Sequence, residues 1–266
     1  MLEDKFKLYL KSLPLLQDKY GFIYSEECDS LLFTSLVGCV PGVAVYIDAA
    51  FDHSTEQWHR RCTEKPCYPY HSKSTISRDM FIGLAWYAYI NGRLDISEQV
   101  IKYALTHFLV MGQGVLSRTI MTPNLLSTYA WISYRLGGPS RPWLRYLPQI
   151  ESKKVTDYQA HLSILHILLR NKLTGKDNHG DLLTFHADRS PENALFQFAA
   201  GRVDKAYTIL NNKQYFPEDR LPNKSDRKAN WLWERDYGDN YLPGESKKIL
   251  SGGDFLFVYA LLKNMI

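Results

Sequence analysis

Cysteine is scarce in this chain, and what there is suits neither a disulfide scaffold nor a metal centre. Cys28, Cys39, Cys62 and Cys67 all fall within the first 67 residues, and no two form a Cys-x-x-Cys pair. Reduced thiols are the expectation. His59 stands near Cys62 and Cys67, but the spacing is irregular and no second ligand pair follows, so no metal is expected. Also missing is any apolar stretch of membrane-spanning length without charges, and the opening Met-Leu-Glu-Asp-Lys-Phe-Lys has no apolar signal core. The expected address is the cytoplasm, with a viral particle or signal-less export as the other settings, and no membrane partner is expected. Charge of one sign is not in large excess: the net charge is +4, the pI is about 8.7, and no run of five or six basic residues occurs. That argues against a nucleic-acid partner and leaves room for an anionic ligand.

The short motifs of common catalytic and cofactor sites are absent as well. There is no phosphate-binding glycine loop, no nucleophile elbow and no His-Glu-x-x-His, so no cofactor is expected. Gly112-Gln-Gly114 falls between helical segments, not after a strand, and reads as a turn. Strand signal is weak throughout, with Val43 to Ile47 the one convincing short run.

Helical pattern dominates. Six times a short polar residue opens a strongly apolar run: Asp29-Ser-Leu-Leu-Phe, Asp79-Met-Phe-Ile-Gly, Asn124-Leu-Leu-Ser, Asp157-Tyr-Gln-Ala, Asn193-Ala-Leu-Phe and Asp254-Phe-Leu-Phe. Residues 76–90 are apolar almost all round, which predicts a helix buried on all faces. Asn91-Gly92 should stop it. Residues 97–108 carry Ile101, Ala104, Leu105 and Phe108 on one stripe and Glu98, Gln99 and Lys102 on the other, a one-sided surface helix. This pairing of buried and outer helix recurs. Thr122-Pro123 caps residues 125–136, with a second segment over 142–150. Residues 157–173 stop at Gly175 and are followed by a polar stretch over 177–187. Residues 193–200 stop at Gly201, and 202–210 are again one-sided. The turns Asn91-Gly-Arg-Leu-Asp95 and Ala200-Gly-Arg-Val-Asp204 resemble each other closely. Lys5 to Lys19 and Ser54 to Arg61 complete the outer helices, and residues 29–37 and 253–264 complete the inner ones.

Six inner helices alternating with about six outer ones predict a single all-α domain over residues 1–266, an (α/α)6-type toroid. In such a fold the inner helices all point one way, and their N-terminal ends meet at one mouth. Asp79, Asp254, Asp29 and Asp157 would then face a common cavity. The plain alternative is helix capping, since helix N-termini favour acidic groups and Ser251-Gly-Gly-Asp254 has a capping spacing. Two long turn-rich stretches, residues 41–74 and 215–253, would decorate the mouth. The first carries Trp58-His59-Arg60-Arg61 and the second Trp231-Leu-Trp233-Glu234-Arg235. Stacking rings, guanidinium groups and acids in one patch suit a sugar subsite. The alternative is a loop pinned by its tryptophans in the core. Tyr158 and His161, near the start of the fourth inner run, are further acid or base candidates, although a histidine on an apolar helix is more often a core residue.

Ser77-Arg78-Asp79 at the opening of an inner helix, Trp231-x-Trp233-x-Arg235 and Ser251-Gly-Gly-Asp254-Phe255 together resemble the (α/α)6-toroid group of glycoside hydrolases and polysaccharide lyases. That resemblance implies a carbohydrate substrate and acidic catalysis at the mouth. It points to Asp79 and Asp254 as the carboxylate pair with Asp29 in reserve, and to Trp233, Arg235, Trp231, His59, Arg61, Arg78, Tyr158 and His161 as substrate contacts. Two other readings follow from the same residues. One is a lyase with Tyr158 or His161 as base and Arg60, Arg61 or Arg235 neutralising a uronate. The other is a non-catalytic helical module binding a glycan or a protein.

Overall fold

A computed structural model of the chain describes residues 2–23, 30–60, 76–113, 118–148, 157–177, 179–213, 215–218 and 252–266, with the side chains of residues 113, 157 and 158 outside that description. Helix accounts for 62% of the described residues and strands are few and short, which makes the class all-α. The helices are α1 (Leu2–Ser12), α2 (Ser30–Val37), α3 (Arg78–Ile90), α4 (Leu94–Thr106), α5 (Pro123–Arg135), α6 (Pro142–Arg145), α7 (Asp157–Thr174), α8 (Gly180–Arg189), α9 (Ala194–Ala199), α10 (Val203–Asn211) and α11 (Gly253–Leu262). Short 3-10 turns run over Leu13–Leu16 and Ile47–Ala50.

The apolar pattern sorts these helices as physics requires. Every residue of α2 is buried, as are residues 79–88 of α3 and 253–261 of α11. Helix α4 buries only a stripe of Ile96, Ser97, Val100, Ile101 and Ala104, and α10 only Ala206, Ile209 and Leu210. The buried helices contact one another in an order that returns to its start: α2 with α3, α3 with α5, α5 with α7, α7 with α9, α9 with α11, and α11 with α2. Helices α1, α4, α6, α8 and α10 each pack on members of this circuit. One continuous apolar cluster runs through all of them, from Phe6 to Ile266.

Side-chain bonds fix some directions. Leu32 of α2 lies against Gly83 of α3, and the Asn91 amide beyond α3 donates to the Gly38 carbonyl beyond α2 at 3.1 Å. Thus α2 and α3 run parallel. Thr128 meets His166 at 2.7 Å, and Arg135 Nε donates to the Leu173 carbonyl at 2.6 Å, so α5 and α7 also run parallel. Phe6 stacks on Tyr259 and Tyr9 on Phe255, an antiparallel pairing of α1 with α11.

Gly83 permits the closest of these approaches. A Cβ added there would sit 2.7 Å from the Leu32 carbonyl oxygen and 3.0 Å from its Cα. Both are backbone atoms, so the two helices would have to move apart. Overpacking of this kind typically destabilises by about 1–3 kcal/mol, against a helix-propensity gain of about 1 kcal/mol for alanine. Gly83→Ala should therefore lower stability in urea unfolding. An unchanged midpoint would mean that the α2–α3 contact yields freely.

The repeated turn is real at the atomic level. Gly92 and Gly201 adopt φ of +66° and +75°, and the N–H groups of Arg93 and Arg202 donate to the carbonyls of Ala88 and Gln197, five residues back, both at 2.8 Å. These are helix stops that need a left-handed residue, which glycine adopts without penalty.

Several expectations are corrected. Residues 43–47 form no strand, and their segment leads into the turn at 47–50. Ser54 to Arg61 does not make an outer helix. Its described part belongs to a hairpin of β1 (Phe51–Asp52) and β2 (Gln57–Trp58), whose turn is organised by Asp52 accepting from Ser54. A second antiparallel pair joins β3 (Val110–Gln113) to β4 (Arg118–Ile120), so Gly112 sits in a strand and not in a turn, while Gly114 lies outside the described residues. The polar stretch 177–187 contains most of α8, because Leu182, Leu183, His186 and Ala187 share one buried face. The segment after Pro142 is only four residues of helix, and α1 ends at Ser12.

Candidate functional site

The two hairpins gather at the start of α3. Gln57 in β2 donates its side-chain amide to the Met111 carbonyl in β3 at 2.8 Å, and the Thr119 hydroxyl in β4 donates to the Ile76 carbonyl just before α3. Strand β4 then runs into Thr122-Pro123 and α5. The N-terminal ends of α3 and α5, which carry Asp79 and Asn124, are therefore neighbours. Weak strand signal hid this: β1 and β2 are two residues each, too short to show alternation, and neither Gln57 nor Thr119 belongs to a motif.

Arg60 completes this end. Its Nη2 donates to Ser77 Oγ at 2.8 Å, and Ser77 is the residue before α3. The Ser77 hydroxyl accepts no cap bond from its own helix. At Ser77 a guanidinium contact stands where a side-chain cap could be. Asp79 follows in the first turn, 4% exposed. Trp58 is buried beside Phe51, and His59 is half-buried with Nε2 3.8 Å from Asp52 Oδ2. Arg78 is exposed.

Asp254 opens α11 and is 3% exposed. The capping pattern from Ser251 is out of register: the residue before α11 is Gly252, at φ +71°, and Asp254 is the second helical residue, with Oδ1 accepting from the Phe255 N–H at 3.0 Å. Its charge is felt by Tyr9, whose phenol is pushed well above the usual range by burial first and then by Asp254 and Glu218. Tyr9 donates to the Pro217 carbonyl at 2.9 Å, and its ring fills the space that a Cβ on Gly252 would need. The α11 opening is thus tied to α1.

The other openings divide. Thr122 caps α5 by accepting from the Leu125 N–H at 3.3 Å, with Pro123 first in the helix, and Asn124 is half-buried. Asn193 is itself the cap of α9, its side chain accepting from the Phe196 N–H at 3.3 Å. Asp29, Arg61, Trp231, Trp233 and Arg235 lie outside the described residues, as do the side chains of Asp157 and Tyr158. Cys39 is buried, its thiol against the Ser35 carbonyl, and the other three cysteines lie outside the described residues. Among the described residues no group of three or more His, Cys, Asp or Glu could hold a metal ion, and no helix is long and apolar enough to cross a membrane.

No known protein family, characterised protein or solved structure matches this chain. Function must be argued from the site itself.

His161 sits in the first half of α7, fully buried, and burial pushes it down to about 3. It is therefore a neutral imidazole at neutral pH. The unfolded chain takes up this proton near pH 6.5, whereas the folded chain does so only near pH 3. The stability that the neutral ring contributes is full above about pH 6.5 and is lost as the pH falls toward 3. Between pH 6 and pH 4 the loss from this group is on the order of 2 kcal/mol. The slope of stability against pH in that window should flatten in His161→Gln. An identical slope in both proteins would refute the assignment.

Proposed function

We propose that this chain is a carbohydrate-active enzyme built as an (α/α)6-type toroid, cleaving an oligosaccharide or polysaccharide with Asp79 and Asp254 as its carboxylate pair. One observation carries the reading: two members of the closed circuit of buried helices, α3 and α11, each open with a nearly solvent-free aspartate in an otherwise apolar run. Burying two carboxylates this way is costly, and chemistry is a reason to retain them. The parallel pairs α2–α3 and α5–α7, and the joined starts of α3 and α5, support a common rim. Glycosidic cleavage needs one carboxyl to protonate the leaving oxygen and a second to activate water or attack the sugar carbon. Asp29 is the reserve for either role. Arg60 and His59 beside the start of α3 would contact sugar hydroxyls, with Trp231, Trp233, Arg235 and Arg61 as further substrate contacts.

The lyase alternative has less support. A base must be accessible and basic enough, and a fully buried imidazole at about 3 is neither. Tyr158 alone would remain for that role. A panel of neutral and acidic oligosaccharides separates the readings. New reducing ends without ultraviolet absorbance support the hydrolase, and an unsaturated product supports the lyase. Binding without cleavage of any member would leave a non-catalytic glycan module and overturn the enzyme.

A further inference from the structure

Arg145, the last residue of α6, is a buried cation with no carboxylate against it among the described residues. It is 8% exposed, and its guanidinium carbon lies 3.9 Å from the Tyr134 ring centre, 4.8 Å from that of Trp131 and 5.5 Å from that of Tyr146. Its Nη2 donates to Ser140 Oγ at 3.2 Å, and its Nε is buried with no hydrogen-bond partner. No carboxylate partners Arg145 among the described residues. Nearby Arg141 differs, because Glu98 takes it in two bonds of 2.6 and 2.8 Å. A buried guanidinium held, among the described residues, by ring faces and one hydroxyl is half of an ion site.

The surroundings say what the other half looks like. Tyr146 is 71% exposed and Tyr134 43%, both with their rings against the cation, and Trp143, one helical turn before Tyr146, is 63% exposed. Trp131 packs edge-on against both Tyr134 and Tyr146, which holds those rings in place. A ligand that fits has flat apolar faces and a planar anion for the guanidinium edge. A single-stranded nucleic acid offers flat faces too, but it brings a charge at every nucleotide and calls for a track of cations. Among the described residues Arg141 is taken by Glu98, and Arg135 and Arg170 are turned to protein groups, the Leu173 carbonyl and the Ser127 hydroxyl, so no open track of cations is laid out here.

We infer that the face formed by α5 and α6 is a surface binding site for an acidic sugar, with a uronate carboxylate on Arg145 and pyranose faces on Tyr146 and Trp143. Asn124 and Tyr134 are ten residues apart on one helix, about 15 Å along its axis, so this face is separate from the start of α3. Its place would be to hold an acidic polysaccharide on the enzyme surface. The choice of a sugar rests on the carbohydrate reading above; the need for an anion does not.

Calorimetric titration of the full chain with short galacturonate, mannuronate and glucuronate-containing oligosaccharides tests this. At least one should bind, and its methyl ester, which keeps the rings and removes the charge, should bind at least tenfold more weakly. Tyr146→Ala and Trp143→Ala alter exposed side chains and should each weaken binding at least fivefold. Arg145→Lys keeps the charge but not the planar fork and should also weaken it. The inference is overturned if none of the three acids binds, if acid and ester bind alike, or if the Tyr146 and Trp143 variants bind as the parent does. It is equally overturned if a deoxyhexanucleotide displaces the bound sugar at lower concentration. Binding lost in Asp79→Asn but kept in Tyr146→Ala would move the acid to the α3 opening, ending this inference while leaving the proposed function standing.

Discussion

Replacing Asp79 or Asp254 with asparagine should reduce glycan cleavage by about 10²- to 10⁴-fold, the range expected when a positioned acid or base is removed. The fold should survive. Asparagine keeps the shape of the side chain, and at position 254 its carbonyl can still accept from the Phe255 N–H. What the helix loses is a favourable charge at its N-terminus, about 0.3–1 kcal/mol. For a chain of this size that corresponds to a melting shift of a few degrees at most. Rate and melting temperature measured on the same samples separate the two roles of these aspartates. A large fall in rate with little change in melting assigns them to catalysis. A fall in melting with cleavage unaltered would assign them to capping and remove the carboxylate pair from the mechanism.

The largest effect on stability is expected at Trp86. This ring is buried in α3, its Nε1 donates to the Leu165 carbonyl in α7 at 3.0 Å, and it meets Phe257 of α11 edge-on at 5.4 Å between ring centres. One side chain thus joins three of the buried helices across the circuit. Trp86→Ala should destabilise by about 3–5 kcal/mol through lost burial and the cavity left behind. That is a large share of the 5–15 kcal/mol that holds a typical domain. Trp86→Phe should lose less, because it keeps a ring and gives up mainly the bond to Leu165, worth about 1 kcal/mol. Denaturant unfolding of the three proteins gives the order directly. If alanine cost under about 1 kcal/mol, the centre of the circuit would be loosely packed, and a filled helical core would be the wrong description.

Sequence alone determined the helices and their environments wherever one local rule acted unopposed. The almost all-round apolar run of residues 76–90 had to be buried on most faces, and residues 79–88 of it are buried throughout. Thr122-Pro123 carries its own cap chemistry, and Gly92, Gly175 and Gly201 each stop a helix with positive φ. Tertiary structure decided everything that depended on distant partners. Helix α8 looks polar because its buried face is narrow, and that face is covered only when the chain turns back and packs α9 against it. The strand pairs β1–β2 and β3–β4 are too short to show a period, and Gln57 to Met111 and Thr119 to Ile76 are bonds between residues far apart in the chain. The same holds for individual polar side chains. Ser77 was legible as a helix opener, but its hydroxyl serves Arg60, seventeen residues away. Asn193, one of the six polar openers, is the cap of its own helix. Arg145 carries no signal in its neighbours along the chain; it became a buried cation only when α6 folded onto Trp131 and Tyr134. Helix periodicity is written in spacings of three and four residues, whereas charge pairing, burial of a carboxylate and the facing of two helix ends are properties of the packed chain.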